Sequence, residues 1–298
     1  MIDSRVGRAV QLVAVIGLAA CSSATTKTGG PSGPTPEPGT PTTPTPPAAG
    51  GGVLYNPVKD VSYALERHDS LTIQLPGGAN QQQLIDRIAY LRVALVPDTG
   101  GYQASIILDS IQASVGGVAA APDSIIPARG TRWSASLTRD GRLSALKADR
   151  STTVGDQLGS NLRTLFPKLP AGGVKAGMEW TDTSDVPVRA DAFDALEHSL
   201  TNYRSAESDD PQAKKAIKLE STGSYQRKGK GTQYDQQMEM SSSGTRSSIY
   251  YLNADGTLAS AHGSETGDLT ISIPAVGQTV PVKQTGSFTI RAVRPAKR

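Results

Sequence analysis

Apolar and polar residues alternate along most of the chain from about Val53 to Pro295, in short runs separated by Gly, Asp and Asn. A period of two residues is typical of strands that bury one face, and the Gly-containing breaks mark turns. The stretch Asp98-Thr99-Gly100-Gly101 lies between two such runs and predicts a β-hairpin. We therefore expect a mainly β fold, an antiparallel curved sheet or half-barrel with one or two packed helices.

One segment has helical periodicity instead. Its apolar residues fall on a single helix face and comprise Val154, Leu158, Leu162, Leu165 and Phe166. Ser151, Thr152 and Thr153 offer N-caps, and Pro167 ends the helix. We expect this apolar face to pack on the sheet and, if the body encloses a ligand, to face that ligand. Residues 190–203 fit both a helix and a strand, since their spaced apolar residues are Phe193, Leu196, Leu200 and Tyr203.

Two Asp-Gly turns have similar flanking sequences. The stretch from Leu137 to Ala145 aligns without gaps to the stretch that begins at Leu252, with Leu, Asp-Gly and Leu in common. Asp-Gly hairpins are common in proteins, so a chance similarity is one explanation. The other is a duplication that gives the body two similar antiparallel halves.

The first 21 residues have the features of an export signal. Arg5 and Arg8 precede an apolar run from Ala9 to Leu18, which at about ten residues is too short to span a bilayer. The quartet Leu18-Ala19-Ala20-Cys21 resembles the lipobox of bacterial lipoproteins. That resemblance implies cleavage of signal residues 1–20 between Ala20 and Cys21, acylation of the Cys21 thiol and stable attachment to a membrane. Ser22 rather than Asp follows Cys21, which resembles the pattern of outer-membrane lipoproteins in hosts with two membranes.

Residues 21–52 differ in composition from the rest of the chain. Eight Pro lie between residues 31 and 50, and only Lys27 and Glu37 are charged between Ser22 and Gly52. No apolar periodicity is present, so this stretch cannot bury enough surface to fold. We expect residues 21–52 to form a disordered tether that holds a β-rich body, residues 53–298, away from the membrane.

Charge and cysteine content exclude several function classes. The chain has 30 basic and 27 acidic residues, which is too balanced for a protein that binds nucleic acid by neutralising phosphates. A single Cys excludes an internal disulfide and a zinc site with several Cys ligands. We expect no nucleic-acid partner, no metal site and no cofactor.

Catalytic patterns are absent from the sequence. His68, His198 and His262 have no metal-binding spacing, and no Gly-x-Ser-x-Gly elbow occurs. The acidic residues Asp182, Asp185, Asp191, Asp194 and Glu197 lack the pattern of a calcium loop, which favours a solvated acidic edge. The basic and aromatic residues Tyr225, Arg227, Lys228, Lys230 and Tyr234 favour an exposed strand edge protected by lysine. We therefore expect no catalytic residue and no enzymatic activity.

The body is also weakly similar to the Lol-type and mycobacterial lipid-carrier lipoproteins, through its export signal, size, strand-rich pattern and central helix. This resemblance implies a curved sheet and helices around a cavity for acyl chains. Our first hypothesis is a non-enzymatic envelope protein that binds an apolar ligand or lipid between sheet and helix. The second is a structural or interaction module that holds an envelope protein at a strand edge. The third is a hydrolase whose site is assembled only in space.

Overall fold

The computed structural model describes residues 52–57, 60–75, 77–190, 193–209, 217–233 and 236–293. The signal and the tether up to Gly51 lie outside the described residues, so signal cleavage and the acylation of Cys21 stay predictions. Two body residues that the sequence singled out, Asp191 and Tyr234, lie outside them too, and so do residues 294–298.

Within the described residues, a single antiparallel sheet holds twelve strands. Their bounds are Val61–Gln74 (β1), Asn80–Asp98 (β2), Gly101–Val115 (β3), Val118–Ala119 (β4), Arg132–Thr138 (β5), Lys147–Ala148 (β6), Glu179–Ala190 (β7), Phe193–Glu207 (β8), Ile217–Gln233 (β9), Gln236–Leu252 (β10), Leu258–Ile273 (β11) and Gln278–Val293 (β12). The strand order is β6-β5-β3-β2-β1-β12-β11-β10-β9-β8-β7, with β4 paired to β3. The sheet is curved and unclosed, and β6 and β7 are its two edges, so the expected fold class is confirmed.

The helices are short. Helix α1 spans Pro122–Ile125, and helix α2 spans Thr153–Asn161. The Thr152 side chain caps α2, because its hydroxyl accepts a hydrogen bond of 3.1 Å from the Gly155 amide. A 3-10 turn, Leu162–Leu165, continues the helix as far as the predicted end before Pro167. Neither helix is long and apolar enough to cross a membrane.

The main core lies between α2, with its 3-10 turn, and the inner face of the sheet. All five predicted helix residues are buried there, Leu162 completely. The strands contribute, among others, Tyr63, Leu65, Leu91, Ile106, Leu108, Trp133, Leu137, Leu252 and Ile290. A void of only about 10 Å³ touches Leu165 and Phe166. In the part of the chain that the structure describes, the space under the helix is therefore filled by side chains.

The two Asp-Gly turns fold alike. Gly141 and Gly256 have positive φ angles of 83° and 76°, which glycine adopts without strain. In each turn the glycine amide donates to the carbonyl three residues earlier, at 3.0 and 2.9 Å. Tight hairpins share this geometry whatever their origin, so a duplication of the body stays a prediction.

The segment Gly52–Pro57 passes between these two turns. The Tyr55 amide donates to the Arg139 carbonyl at 2.9 Å, and the Asn56 amide donates to the Asp255 carbonyl at 2.7 Å. The Tyr55 ring is buried, and its hydroxyl donates to the Pro167 carbonyl at 3.1 Å. The start of the body is thus held by turns from two distant parts of the sheet.

Candidate functional site

An open groove lies at the seam of the sheet, where β6 and β7 leave a gap beside α2. Its volume is about 370 Å³. We call it the seam groove; it is lined by Trp133, Ala145, Leu146, Ala148, Arg150, Ser151, Asp156, Gly159, Ser160, Arg163, Pro187, Val188, Asp194 and Ala195. Apolar and polar side chains contribute about equally to this lining.

One wall of the seam groove joins a second apolar region. Val188 of β7 and Ala195 of β8 are cross-strand partners on the inner face of the sheet. Ala195 belongs to the far cluster, a separate apolar group that comprises Phe193, Ala195, Met238, Met240, Ile271 and Ile273, and Val188 packs against it. The groove therefore runs from solvent to buried hydrocarbon.

Helix α2 forms another wall through Asp156, Gly159 and Ser160, which are not among the residues predicted to face a ligand. A side-chain carbon at Gly159 would lie 3.2 Å from the Trp133 indole nitrogen, so the glycine lets the helix approach that ring closely. The five predicted residues, Val154, Leu158, Leu162, Leu165 and Phe166, lie instead in the main core. The reason is that the helix turns its apolar face to the sheet and its polar side to the seam.

Arg163 follows α2 and lines the seam groove as a partly buried side chain. Its two terminal nitrogens donate to backbone carbonyls, Nη1 to Leu143 at 3.0 Å and Nη2 to Ser144 at 3.1 Å. Burial lowers the pKa of the Arg163 guanidinium, while the charge of nearby Glu197 acts to raise it. The guanidinium is thus fixed in position by two neutral acceptors.

A charged layer crosses the inner face between the main core and the far cluster. Its members are Arg67, Asp69, Arg87, Glu197, Arg227, Arg246 and Glu265. Glu197 accepts from Arg227 Nε at 2.5 Å and pairs with Arg246 Nη1 at 3.1 Å. Burial alone would raise the pKa of Glu197, but the guanidiniums of Arg246 and Arg227 outweigh it and hold the pKa below its usual value.

Tyr225 lies within this layer, between two arginines. The guanidinium carbons of Arg227 and Arg246 are 4.4 and 4.6 Å from the centre of its ring, a cation–π arrangement. Gly244 of the adjacent β10 and Gly267 of β11, the next strand, leave room for the tyrosine hydroxyl, since a side chain at either position would overlap it. Burial raises the pKa of Tyr225 to about 12.

The layer reaches α2 through Arg67. This side chain donates from Nε to Asp69 at 2.9 Å and from Nη1 to the Asn161 side chain at 3.4 Å.

A carboxylate paired with arginine stays ionised, whereas a general acid at neutral pH needs a raised pKa. The lowered pKa of Glu197 therefore gives the hydrolase hypothesis no support.

The histidines and the acidic cluster form no site among the described residues. His68 and His198 are exposed and pair across strands with Asp86 at 2.7 Å and Asp185 at 2.8 Å. Asp182 pairs with Lys168, whereas Glu197 points into the charged layer. No three His, Cys, Asp or Glu side chains of the described chain come together as a metal site.

The expectation of an exposed edge at Tyr225 to Lys230 is wrong. Strand β9 lies inside the sheet between β8 and β10, with partners on both sides. Tyr225 and Arg227 point inward, while Lys228 and Lys230 point to the opposite face, as alternation along a strand requires. Sequence inspection missed this inward charge because polar residues occupy both faces of β9.

Comparison with known proteins gives little. No family model and no curated protein matches the chain. Among solved structures, the chain is similar to DynF from the dynemicin biosynthesis pathway of Micromonospora chersina, at 10% identity and a TM-score of 0.25. The alignment covers 83% of this chain and 88% of that one. A TM-score this low assigns neither a fold family nor a function.

Proposed function

We propose that this chain is a non-enzymatic, lipid-anchored protein of the cell envelope whose body binds an apolar ligand or lipid in the seam groove. The observation that carries the proposal is the groove itself. Its volume of about 370 Å³ falls in the range of small-molecule sites, and one wall leads to buried hydrocarbon. Neither metal nor cofactor is part of the proposal.

The location differs from that of our first hypothesis, which placed the ligand between the sheet and the apolar helix face. That space is occupied by Leu158, Leu162 and their neighbours in the main core. The seam groove lies on the other side of α2 and is open. A ligand can enter there without unpacking the core.

Ligand binding is tested by native mass spectrometry of the chain purified from an envelope extract. We expect a co-purifying lipid, and we expect Ala148→Trp to remove it because Ala148 is an exposed rim residue of the groove. Ala119→Trp is the matched control, since Ala119 is also an exposed alanine in a two-residue strand but does not line the groove. Repeated absence of lipid from the unsubstituted chain would count against the proposal.

The membrane anchor is tested separately. It rests on the Leu18-Ala19-Ala20-Cys21 quartet and on the need for a thiol to carry the diacylglyceryl group. Cys21→Ala should move the chain from the membrane fraction to the soluble fraction. If the variant stays in the membrane fraction, the anchoring argument is wrong. In a host with two membranes, we propose the outer membrane as its location.

A second candidate is an interaction module for another envelope protein. Strand β7 favours it, because twelve residues of this strand form one edge of the sheet. An edge strand can pair with a strand of a partner, although Pro187 removes one donor. A protein partner retained through purification, without lipid, would favour this candidate over ligand binding.

A further inference from the structure

We infer that the ligand of the seam groove is an anionic amphiphile, an apolar chain that ends in a carboxylate or a phosphate, and that Arg163 binds its charged end. The inference rests on the proposed function, which places an apolar ligand or lipid in this groove. It adds the chemical class of the ligand and the residue that selects it.

The first step is the charge of Arg163. Its guanidinium is partly buried and donates to two neutral carbonyls, those of Leu143 and Ser144. Within the described part of the chain, no carboxylate forms an ion pair with it, and Glu197 is already bound by Arg227 and Arg246. A guanidinium has five N–H donors, so donors remain for an anion. A partly buried cation without a counter-ion is a favourable place for one.

The second step is the state of the other charges at the groove. Arg150 pairs with Asp149 at 3.5 Å, and Asp156 accepts from the Ser151 hydroxyl at 2.6 Å. These side chains therefore have partners within the protein, and so does Asp194, the other carboxylate that lines the groove. Arg163 is also held by two carbonyls, so its planar donors are oriented before a ligand arrives. Arginine binds carboxylate and phosphate through paired, parallel hydrogen bonds, which suits such a fixed donor.

The third step is the apolar side of the groove. Trp133, Leu146 and the Val188–Ala195 pair provide hydrocarbon surface next to the charged rim. A neutral lipid would cover this surface but leave the guanidinium without an anion. A small anion would meet the guanidinium but leave the apolar surface exposed. Only a molecule with an apolar chain and an anionic end would both cover the hydrocarbon surface and pair with the guanidinium.

The experiment measures binding to the chain that begins at Ser22, which retains every described residue and carries no acyl group of its own. The probes are palmitate, hexadecyl phosphate and hexadecanol, with acetate and inorganic phosphate as small anions, followed by tryptophan fluorescence because Trp133 lines the groove. We expect at least one of the two anionic amphiphiles to bind about tenfold tighter than hexadecanol, as for a hydrogen bond to a charged group. Binding of the small anions should be undetectable in the same range.

Arg163→Met removes the charge and retains an apolar stem. We expect it to abolish the preference for the anionic amphiphile while the affinity for hexadecanol, which reports an intact groove, stays the same. Arg163→Lys should keep part of the preference. Arg142→Met is the matched control. Arg142 directly precedes Leu143 in the chain, but its side chain pairs with Asp140 and does not line the groove.

Each outcome decides a separate point. Equal binding of hexadecanol and both anionic probes would refute the inference that the ligand has an anionic end, but it would leave the groove as a site for apolar ligands. A preference that survives in Arg163→Met would overturn the role of Arg163. If small anions bind as tightly as palmitate, the inference that the ligand needs an apolar chain is wrong. Failure of every long-chain probe to bind would refute the proposed function itself.

Discussion

The main core and the charged layer lie on the same face of the same sheet, yet they are built in opposite ways. Along β10, Leu252 is buried in hydrocarbon, whereas Arg246, six residues earlier, is bound to Glu197. Helix α2 packs over the main core, whereas in the layer Arg227 and Arg246 lie against the Tyr225 ring and pair with Glu197. One strand therefore contributes to two environments with different physics.

This difference teaches what each region provides. Buried hydrocarbon stabilises a fold in proportion to its area and requires no particular partner. Buried ion pairs add little net stability, because desolvation offsets their attraction, but removal of one member leaves an uncompensated charge. The main core should therefore supply most of the stability, and the charged layer should fix which strands face each other inside the sheet.

The largest effect is expected where a pair in the charged layer is broken. Glu197→Leu leaves the Arg227 and Arg246 guanidiniums without their shared carboxylate and should cost about 3–5 kcal/mol in the free energy of unfolding. Urea denaturation measures it. Glu66→Leu is the control, since Glu66 pairs with the exposed Arg291 on the outer face and should cost less than about 1 kcal/mol. Equal losses in both variants would contradict the contrast between the layer and the surface.

A similar loss in the free energy of unfolding is expected when a side chain of the main core is truncated. Leu162→Ala should cost about 2–5 kcal/mol, because Leu162 is fully buried in a space that has almost no free volume. Leu196→Ala on the outer face is the control; its side chain is 55% exposed and its truncation should change stability by less than about 0.5 kcal/mol. A loss below about 1 kcal/mol at Leu162 would mean that the space under the helix is not filled as described.

Acid should distinguish the two regions. The pKa of Glu197 is lowered in the folded chain, so its contribution is present above the pKa of the unfolded chain, about 4.3, and is lost as the pH falls through the folded value. We expect unfolding midpoints in urea to fall between about pH 5 and pH 3. The effect should be smaller than that of Glu197→Leu, since a protonated carboxyl still accepts hydrogen bonds. Glu197→Gln should reduce this fall of the urea midpoint with pH, and Leu162→Ala should not. If the midpoint of Glu197→Gln falls as steeply as that of the unsubstituted chain, the pH dependence comes from other carboxylates.

The smallest effect tests the helix that touches both regions. Thr152→Ala removes the hydroxyl that caps α2 and should cost about 1 kcal/mol. Thr152→Ser keeps a capping hydroxyl and should remain close to the original stability. Thermal unfolding followed by circular dichroism measures both. Equal stability of the two variants would show that the cap does not contribute.

Sequence periodicity was sufficient for the architecture. Alternation predicted the antiparallel sheet, and the five apolar residues from Val154 to Phe166 identified the helix and its buried face correctly. It left the choice open where the pattern lacks contrast. Residues 190–203 fit both a helix and a strand, and the structure forms β8 there; Leu196 and Leu200 lie exposed on its outer face, and their apolar character conceals the alternation.

The candidate site could not be derived from the sequence because its parts are distant along the chain. The seam groove joins Trp133 of β5, the neighbour of edge strand β6, to Val188 of β7, which forms the opposite edge of the sheet. Arg163 donates to carbonyls some twenty residues earlier, a contact that no local pattern encodes. The only local signal was a single basic residue in the apolar helical segment. The inward charges of β9 were likewise hidden by polar residues on both faces.

The way the body begins has a mechanical consequence. Val53 forms two backbone hydrogen bonds with Val174, of 2.7 and 2.9 Å, before the chain reaches the two Asp-Gly turns. The next residues bind both turns, through the Tyr55 amide after β5 and the Asn56 amide after β10. To pull the start of the body away, tension on the chain before Gly52 must therefore break these four backbone hydrogen bonds and withdraw the buried Tyr55 ring.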